Sequence, residues 1–151
     1  MSKTVCVSGG FDPIHAGHVR MIRAAKKIAG SRGKLIVILN SDEWLMRKKG
    51  YVFMPFREKL EILLAMSDVD AVSHVDDSDG TVRSALLKIS PDVFANGGDR
   101  GEGDIPEEDI CQKLGIDMVY NVGGGKIQSS SELVSESLGV DIPSSEGVSD
   151  E

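Results

Sequence analysis

The chain is poor in cysteine, in long apolar runs and in net positive charge. Its 151 residues include 2 cysteines, Cys6 and Cys111, which lie far apart and have neither CxxC nor metal-ligand spacing. Because no apolar signal segment stands at the N-terminus, this cysteine usage predicts a reducing, cytoplasmic location. The longest purely aliphatic run, Leu35 to Leu39, is far shorter than the roughly 20 residues that span a bilayer. We therefore expect no membrane crossing.

The shortage of basic residues limits the kind of partner. A formal net charge of -7 argues against a general nucleic-acid-binding surface, which normally depends on clustered lysine and arginine, so any anion site must be local. With 40% hydrophobic residues, the chain is long enough for one domain with a buried core and too short for two ordinary domains. We expect this domain to cover residues 1–142 and the Ser-, Gly- and acid-rich tail, 143–151, to be disordered.

Apolar segments of two kinds alternate along the chain. Thr4 to Val7 and Lys34 to Asn40 predict buried strands, and apolar residues at helical spacing predict a helix from about His18 to Gly30. Further strands are predicted at 71–75, 91–96 and 117–122, with helices between them and a last short helix after Ser129. The segment 41–54 lacks apolar periodicity, so we expect a loop that can move, with at most a short helical turn. The alternation predicts an α/β, Rossmann-like fold: a single domain with a doubly wound, open, parallel sheet of about five strands.

Two histidines lie at the junction between the first strand and the first helix. The chain there reads Gly9-Gly10-Phe11-Asp12-Pro13-Ile14-His15-Ala16-Gly17-His18. A helix start offers backbone N–H groups and the positive end of the helix dipole, and both suit a phosphate group. A single histidine would more simply cap the helix, but His15 and His18 together can donate hydrogen bonds to phosphoryl oxygens, and Gly17 allows close approach. The junction predicts a site for a nucleotide or another phosphorylated ligand.

Three further loops follow predicted strands and are therefore expected at the same edge of the sheet. They contain the basic cluster Arg47-Lys48-Lys49-Gly50, the turn Gly97-Gly98-Asp99, and the glycine- and serine-rich stretch 123–131. Each loop also has a simpler explanation. The basic cluster can be a solvated charged patch, the Gly-Gly-Asp segment a tight turn, and the serine-rich stretch a helix cap. Their common position at the carboxyl ends of strands favours a shared ligand site.

The stretch from Gly10 to His18 resembles the signature of the nucleotidyltransferases of the cytidylyltransferase-like superfamily, whose HxGH motif binds the nucleoside triphosphate. The resemblance extends over most of the chain, because Lys49-Gly50, the helix after Pro55, Gly97-Gly98-Asp99 and Ser129-Ser130-Ser131 follow in the order that the family uses. It implies direct in-line attack by a substrate phosphate on the α-phosphorus of CTP or ATP, with Mg²⁺ assisting and pyrophosphate leaving. No covalent enzyme intermediate is expected.

The resemblance also implies roles for individual residues. His15, His18 and Lys49 become the catalytic residues. Contact with the nucleotide is expected for Gly9, Gly10, Phe11, Asp12, Gly17, Gly97, Gly98, Asp99, Lys126, Ser129, Ser130 and Ser131. Asp12 and Lys59 are candidates for contact with the acceptor. Lys59 lies near a position at which members of the family often have an arginine. Mg²⁺ is expected to be bound mainly through the nucleotide and not by a cage of protein side chains. Because members of the family are often dimeric, a homodimer is implied.

The favoured function is transfer of CMP or AMP to a small phosphorylated sugar, polyol or alcohol. The glycerol-phosphate cytidylyltransferase branch of the family has an arginine at the position of Gly124 in this chain. Residues 91–99 resemble the ADP-heptose synthase adenylyltransferase branch more, although that branch has a lysine at the position of Asn96. The choice between CTP and ATP therefore stays open. Phe11 to His15 also suggests a nicotinate-mononucleotide or phosphopantetheine adenylyltransferase. An alternative from another class is a nucleotide-binding regulator that does not turn over a substrate. The intact histidine pair and Lys49 argue against this alternative.

Overall fold

The computed structural model describes residues 2–97 and 105–124, which form five strands and five helices. The strands are β1 (Thr4–Gly9), β2 (Lys34–Leu39), β3 (Ala71–His74), β4 (Val93–Ala95) and β5 (Asp117–Val119). The helices are α1 (Ala16–Ala29), α2 (Asp42–Lys49), α3 (Phe56–Leu64), α4 (Arg83–Ile89) and α5 (Glu108–Leu114). In these two ranges, no helix is long and apolar enough to cross a membrane. The helix expected after Ser129 and the tail 143–151 lie outside the described residues.

The five strands lie in one parallel sheet in the order β3-β2-β1-β4-β5. The chain builds outward from β1 through β2 to β3, and then crosses to the other side of β1 to add β4 and β5. The carboxyl ends of β1 and β4 therefore flank the point where the direction of winding reverses. Ligands bind at this point in open α/β sheets. The predicted doubly wound, parallel α/β fold is confirmed.

Alternating side chains of the central strands build a hydrophobic core on each face of the sheet. Val5 and Val7 of β1 pack with residues of α1 and α3. Cys6 of β1 and Phe94 of β4 pack on the opposite face with residues of α4 and α5. Successive side chains of a strand point to opposite faces, so a strand covered on both sides is apolar throughout its buried part. By the same alternation, Ser8 shares the face of α4 and α5 with Cys6.

Helix α2 lies inside the segment 41–54, for which the sequence predicts a loop that can move, and over Asp42–Lys49 that prediction is wrong. Apolar periodicity misses the helix because only Trp44 and Leu45 are buried, too few to form an apolar stripe. The signals that define α2 are at its ends. The Ser41 side chain accepts a hydrogen bond from the Trp44 N–H, acids occupy the first turn and basic residues the last. Gly50 then ends the helix in the left-handed conformation, with φ of 84°.

Candidate active site

His15 and His18 together cap the N-terminus of α1. His15 is the N-cap residue, and its Nδ1 accepts a hydrogen bond from the Gly17 N–H at 3.0 Å. In return, Nδ1 of His18 accepts a hydrogen bond from the His15 N–H at 3.2 Å. Reciprocal bonds of this kind usually join a serine or threonine to a glutamate or glutamine. Since two imidazoles take their place here, α1 begins at Ala16, slightly earlier than the apolar pattern predicts.

These two hydrogen bonds also fix which ring nitrogen carries a proton. A ring nitrogen that accepts a hydrogen bond has no proton of its own, so the Nδ1 atoms of His15 and His18 are unprotonated in this arrangement. Each Nε2 therefore carries the N–H group. The rings stack with their centroids 3.9 Å apart and 22° between their planes. Two donors are thus held together at a helix N-terminus, where they suit the oxygens of a phosphate.

The two rings differ in exposure. His15 is half-buried, whereas His18 is fully buried, and the ring of Phe11 meets the His18 ring in an edge contact with centroids 4.7 Å apart. Phe11 is itself fully buried and has a φ of 50°, a conformation that a bulky residue adopts only where the surrounding structure enforces it. The structure brings the two imidazoles together, as the sequence predicts.

Asp12 and Lys59 are buried beside the loop that precedes α1. The Asp12 carboxylate accepts hydrogen bonds from the backbone N–H groups of Phe53, at 2.7 Å, and Met54. The Lys59 ammonium donates to the Gly10 carbonyl at 3.0 Å and lies 3.9 Å from the Asp12 carboxylate. Neither side chain is exposed in this structure, and the expected contact of Asp12 and Lys59 with the acceptor stays a prediction. They connect the β1–α1 loop to the chain around α3, which is a positioning role.

Charge and burial oppose each other at Lys59. Burial lowers the pKa of the Lys59 amine below its ordinary value, and the nearby carboxylates of Asp12 and Asp42 act against this shift. A buried ammonium stays charged only where neighbouring groups offset its charge, because burial of a charge without a partner costs free energy. The carboxylate of Asp12 therefore has two tasks, which are to accept the two backbone N–H groups and to offset the charge of Lys59.

Lys49 is the last residue of α2, and this helix is held in place at its start. The Asp77 carboxylate accepts hydrogen bonds from the Ser41 N–H at 2.9 Å and from the Ser41 hydroxyl at 2.6 Å. The helix also packs against the β1–α1 loop, since a Cβ atom on Gly10 would lie 2.9 Å from a leucine side chain of α2. Lys49 is half-buried at the end of this helix. A folded helix, and not a mobile loop, therefore sets its distance from the histidines.

The loop after β4 is described only as far as Gly97. A Cβ atom on Gly97 would lie 2.6 Å from Sδ of Met21, so this glycine lets the end of β4 pack closely against α1, near the histidines. Gly9 and Gly17 belong to β1 and α1. The other residues predicted to bind the nucleotide lie outside the described residues, and their roles stay predictions: Gly98, Asp99, Lys126, Ser129, Ser130 and Ser131.

A cleft at the carboxyl edge of the sheet contains polar residues that the motifs do not indicate. Ser8, Asn40 and Asn96 line it together with Glu107 and the ring of Trp44. Asn40 and Asn96 directly follow β2 and β4. A polar residue placed immediately after an apolar strand is the sequence signal that finds them, because the carboxyl ends of parallel strands meet at one edge. The cleft thus adjoins the point where the winding reverses.

The described residues favour neither thiol chemistry nor a metal held by side chains. Both thiols are buried, and burial raises the pKa of Cys6 to about 12 and that of Cys111 to about 11, so neither supplies a thiolate at neutral pH. Within 2–97 and 105–124, no three His, Cys, Asp or Glu side chains are grouped to bind a metal ion. Asp12 is committed to backbone N–H groups. These residues do not fit a protein-held metal ion.

Comparisons with known proteins agree with this geometry. Residues 6–121 match the family model described as cytidylyltransferase-like. The bifunctional protein HldE of Streptomyces coelicolor is 36% identical over 115 residues, which are 74% of this chain but 24% of that protein, so the chain spans about a quarter of its length. FAD synthase of Methanopyrus kandleri is 32% identical over 122 residues, which are 78% of this chain and 77% of the synthase. A lipopolysaccharide core biosynthesis protein of Thermoplasma volcanium shares the fold, with a TM-score of 0.65 and 20% identity over 80% of this chain and 97% of its own.

Proposed function

We propose that this chain joins CMP or AMP to a small phosphorylated acceptor, since it belongs to the cytidylyltransferase-like family and is therefore a nucleotidyltransferase. The nucleotidyl group comes from CTP or ATP, and pyrophosphate leaves in a direct in-line displacement. One observation carries the proposal furthest. Two imidazoles, tied to the first turn of α1 through their Nδ1 atoms, retain Nε2–H donors at a helix N-terminus.

The chemistry of such a displacement matches what these residues can do. The acceptor phosphate attacks the α-phosphorus, the bond to the pyrophosphate oxygen breaks, and negative charge is spread over the surrounding oxygens. His15 and His18 donate hydrogen bonds to this charge through Nε2, and the N-terminus of α1 adds its dipole. Lys49 offsets the charge of the leaving phosphates. The protein thus positions the reactants and stabilises charge without forming a bond to phosphorus itself.

The nucleotide contacts the β1–α1 loop and Gly97, and also Gly98, Asp99, Lys126 and the serines 129–131. The phosphates of the nucleotide would hold Mg²⁺, which would supply positive charge to them. The enzyme is a homodimer, as the family resemblance implies. Light scattering on the purified chain measures this assembly directly.

Pyrophosphate release tests the proposed function. The full chain is incubated with each of the four nucleoside triphosphates and Mg²⁺, together with sugar phosphates, polyol phosphates, FMN or phosphonates. We expect release that depends on both the nucleotide and the acceptor, and a nucleotidylated product of matching mass. Tight nucleotide binding with no product in any combination would support the non-catalytic regulator instead.

Substitution of Lys49 tests its assignment to the nucleotide. Lys49→Gln is expected to raise the KM for the nucleoside triphosphate roughly tenfold, which corresponds to about 1.4 kcal/mol, with little change in the KM for the acceptor. The reason is that Lys49 pairs with phosphates of the nucleotide alone. Lys113→Gln, which removes an exposed lysine in the last turn of α5, is the matched control. An unchanged nucleotide dependence in Lys49→Gln would assign this lysine to the surface.

A further inference from the structure

We propose that Asp77 is a positioning residue for nucleotide binding: its carboxylate holds the start of α2, so that the other end of this helix keeps Lys49 over the β1–α1 loop. This inference rests on the proposed function, because it takes Lys49 to pair with phosphates of the nucleotide. Asp77 follows β3 and lies outside the four loops from which the sequence predicts a ligand site. Its role becomes visible only in the contacts that it makes with α2.

The Asp77 carboxylate is buried, with 3% of the residue exposed, and both of its oxygens are engaged. Oδ2 accepts hydrogen bonds from the Ser41 N–H at 2.9 Å and from Nδ2 of Asn40 at 3.0 Å. Oδ1 accepts a hydrogen bond from the Ser41 hydroxyl at 2.6 Å. A buried carboxylate costs free energy unless donors satisfy it. The donors here come from the two residues that join β2 to α2, so Asp77 fixes the entry of the chain into this helix.

The Ser41 hydroxyl extends this constraint into the helix. Ser41 is the N-cap residue of α2, and its hydroxyl oxygen accepts a hydrogen bond from the Trp44 N–H at 3.0 Å. A serine hydroxyl has one proton, which is donated here to Asp77. The lone pairs of the same oxygen are then left for the helix, as an N-cap requires. Asp77 therefore orients the cap as well as the chain that leads to it.

Two further contacts attach α2 to the loop that contains Asp77. Nη2 of Arg47 donates to the Asp77 carbonyl at 2.7 Å, and Nε1 of Trp44 donates to the Gly80 carbonyl at 3.4 Å. Ser41, Trp44 and Arg47 follow each other at intervals of three residues, and residues at this spacing are neighbours on a helix surface. Residues 77–80 thus contact α2 from its cap to its last turn.

Lys49 lies on another side of α2, the side that packs against the β1–α1 loop. Leu45 contacts this loop, since a Cβ atom on Gly10 would lie 2.9 Å from the leucine side chain. Residues four apart share a helix face, so Lys49 follows Leu45 on the same side. Burial and, to a smaller extent, the charge of Lys49 lower the pKa of the Lys59 amine, which donates to the Gly10 carbonyl. Both observations place Lys49 beside the loop that leads to the histidines.

Helix α2 has few apolar contacts that could hold it without Asp77. It has 8 residues, of which Trp44 and Leu45 are buried. A helix of this length is not stable in water by itself and depends on tertiary contacts. Displacement of a binding group by about 1 Å can cost as much as about 10²-fold in rate. The loss of Asp77 is therefore expected to reach the nucleotide through the position of Lys49.

Asp77→Ala in the full chain tests this inference, because it removes the hydrogen bonds to Asn40 and Ser41. Calorimetric titration with ATP and with CTP, each with Mg²⁺, gives the Kd of the nucleotide without any need for turnover. We expect Asp77→Ala to raise the Kd of the tighter nucleotide roughly fivefold, because Lys49 is displaced but still present. Asp79→Ala, which removes an exposed carboxylate of the same loop that accepts hydrogen bonds from Thr81, is the matched control and should leave the Kd unchanged.

A double-mutant cycle with Lys49→Gln distinguishes positioning from a purely structural role. If Asp77 acts through Lys49, Asp77→Ala raises the nucleotide Kd by less than about twofold in the Lys49→Gln background. If Asp77 only stabilises the fold, the effects of the two substitutions multiply. In the cycle, each variant is compared at the same temperature and salt concentration, because the contact with phosphate depends on ionic strength.

The fluorescence of Trp44 reports the position of α2 directly, since it is the only tryptophan of the chain. The ring is 8% exposed in the folded protein. We expect the emission of Asp77→Ala to shift to longer wavelength, because the start of α2 is released and the ring meets more water. The emission of Asp79→Ala should match that of the unmodified chain.

Asp77→Asn retains one acceptor oxygen and keeps the test decisive where Asp77→Ala does not fold. Loss of the native circular dichroism spectrum in both variants would make Asp77 a residue of the fold alone and overturn the inference. An unchanged Kd, or effects that multiply in the cycle, would also overturn it and leave nucleotidyl transfer standing. A Kd that responds to Asp77 through Lys49 in a chain that releases no pyrophosphate would support the inference and contradict the proposed function. If neither ATP nor CTP binds, both fail together.

Discussion

Replacement of His18 by alanine is expected to lower turnover by about 10²-fold or more, on the scale of losing a preorganised donor to developing charge. The substitution removes the Nε2–H donor and also the Nδ1 acceptor for the His15 N–H, so the position of the neighbouring imidazole is disturbed as well. Loss of the cap is expected to lower the free energy of unfolding by about 1 kcal/mol, beyond the loss of ring packing. Steady-state pyrophosphate release measures the first effect, and denaturant titration the second.

A second variant at His18 separates catalysis from capping. Glutamine is the usual partner at this position of a reciprocal cap, so His18→Gln can restore the hydrogen bond to the His15 N–H while it removes the imidazole. We expect His18→Gln to be more stable than His18→Ala but similarly low in turnover. His74→Ala changes an exposed histidine of β3 and is the control. Recovery of turnover in His18→Gln would limit His18 to the role of a helix cap.

The fold and the position of the histidine pair could be predicted because local patterns determine them. Strand β2 is apolar from Leu35 to Leu39 since both of its faces are covered, and α1 carries its own apolar stripe. The loop between the first strand and helix then has to lie at the carboxyl edge of a parallel sheet. Residues at the N-cap and three positions later, at N3, are brought together where each side chain caps the backbone N–H near the other. The rings of His15 and His18, at this spacing, are stacked.

The residues around the pair could not be placed in the same way, because their roles depend on contacts distant in sequence. Lysine is among the residues least often buried, so nothing near Lys59 predicts that its ammonium donates to the Gly10 carbonyl in the interior. Asp12 before a proline is typical of a turn, and its hydrogen bonds to the chain around Phe53 appear only in the folded protein. The cleft around Asn96 likewise needs three strands and α2 in place. Local patterns thus predict the edge at which ligands bind but not the groups that support it.

Asp12→Ala is expected to lower the free energy of unfolding by about 3–5 kcal/mol, the range found when one partner of a buried ion pair is removed. The change leaves the N–H groups of Phe53 and Met54 without their acceptor. It also leaves the buried Lys59 ammonium without the carboxylate that lies 3.9 Å away. Denaturant titration by circular dichroism measures the change. Asp12→Asn, which retains one acceptor oxygen but no charge, is expected to be intermediate.

A double-mutant cycle with Lys59→Met separates these two contributions. Lys59→Met loses one hydrogen bond to the Gly10 carbonyl but also removes a buried charge, so its own cost is expected to be the smaller one. In the Lys59→Met background, Asp12→Ala no longer strands an ammonium, and its cost should fall to that of the lost backbone bonds, about 1–3 kcal/mol. Additivity of the two substitutions within about 0.5 kcal/mol would show that carboxylate and ammonium act independently. The positioning of the β1–α1 loop would then depend on each side chain's own backbone contacts and not on their pairing.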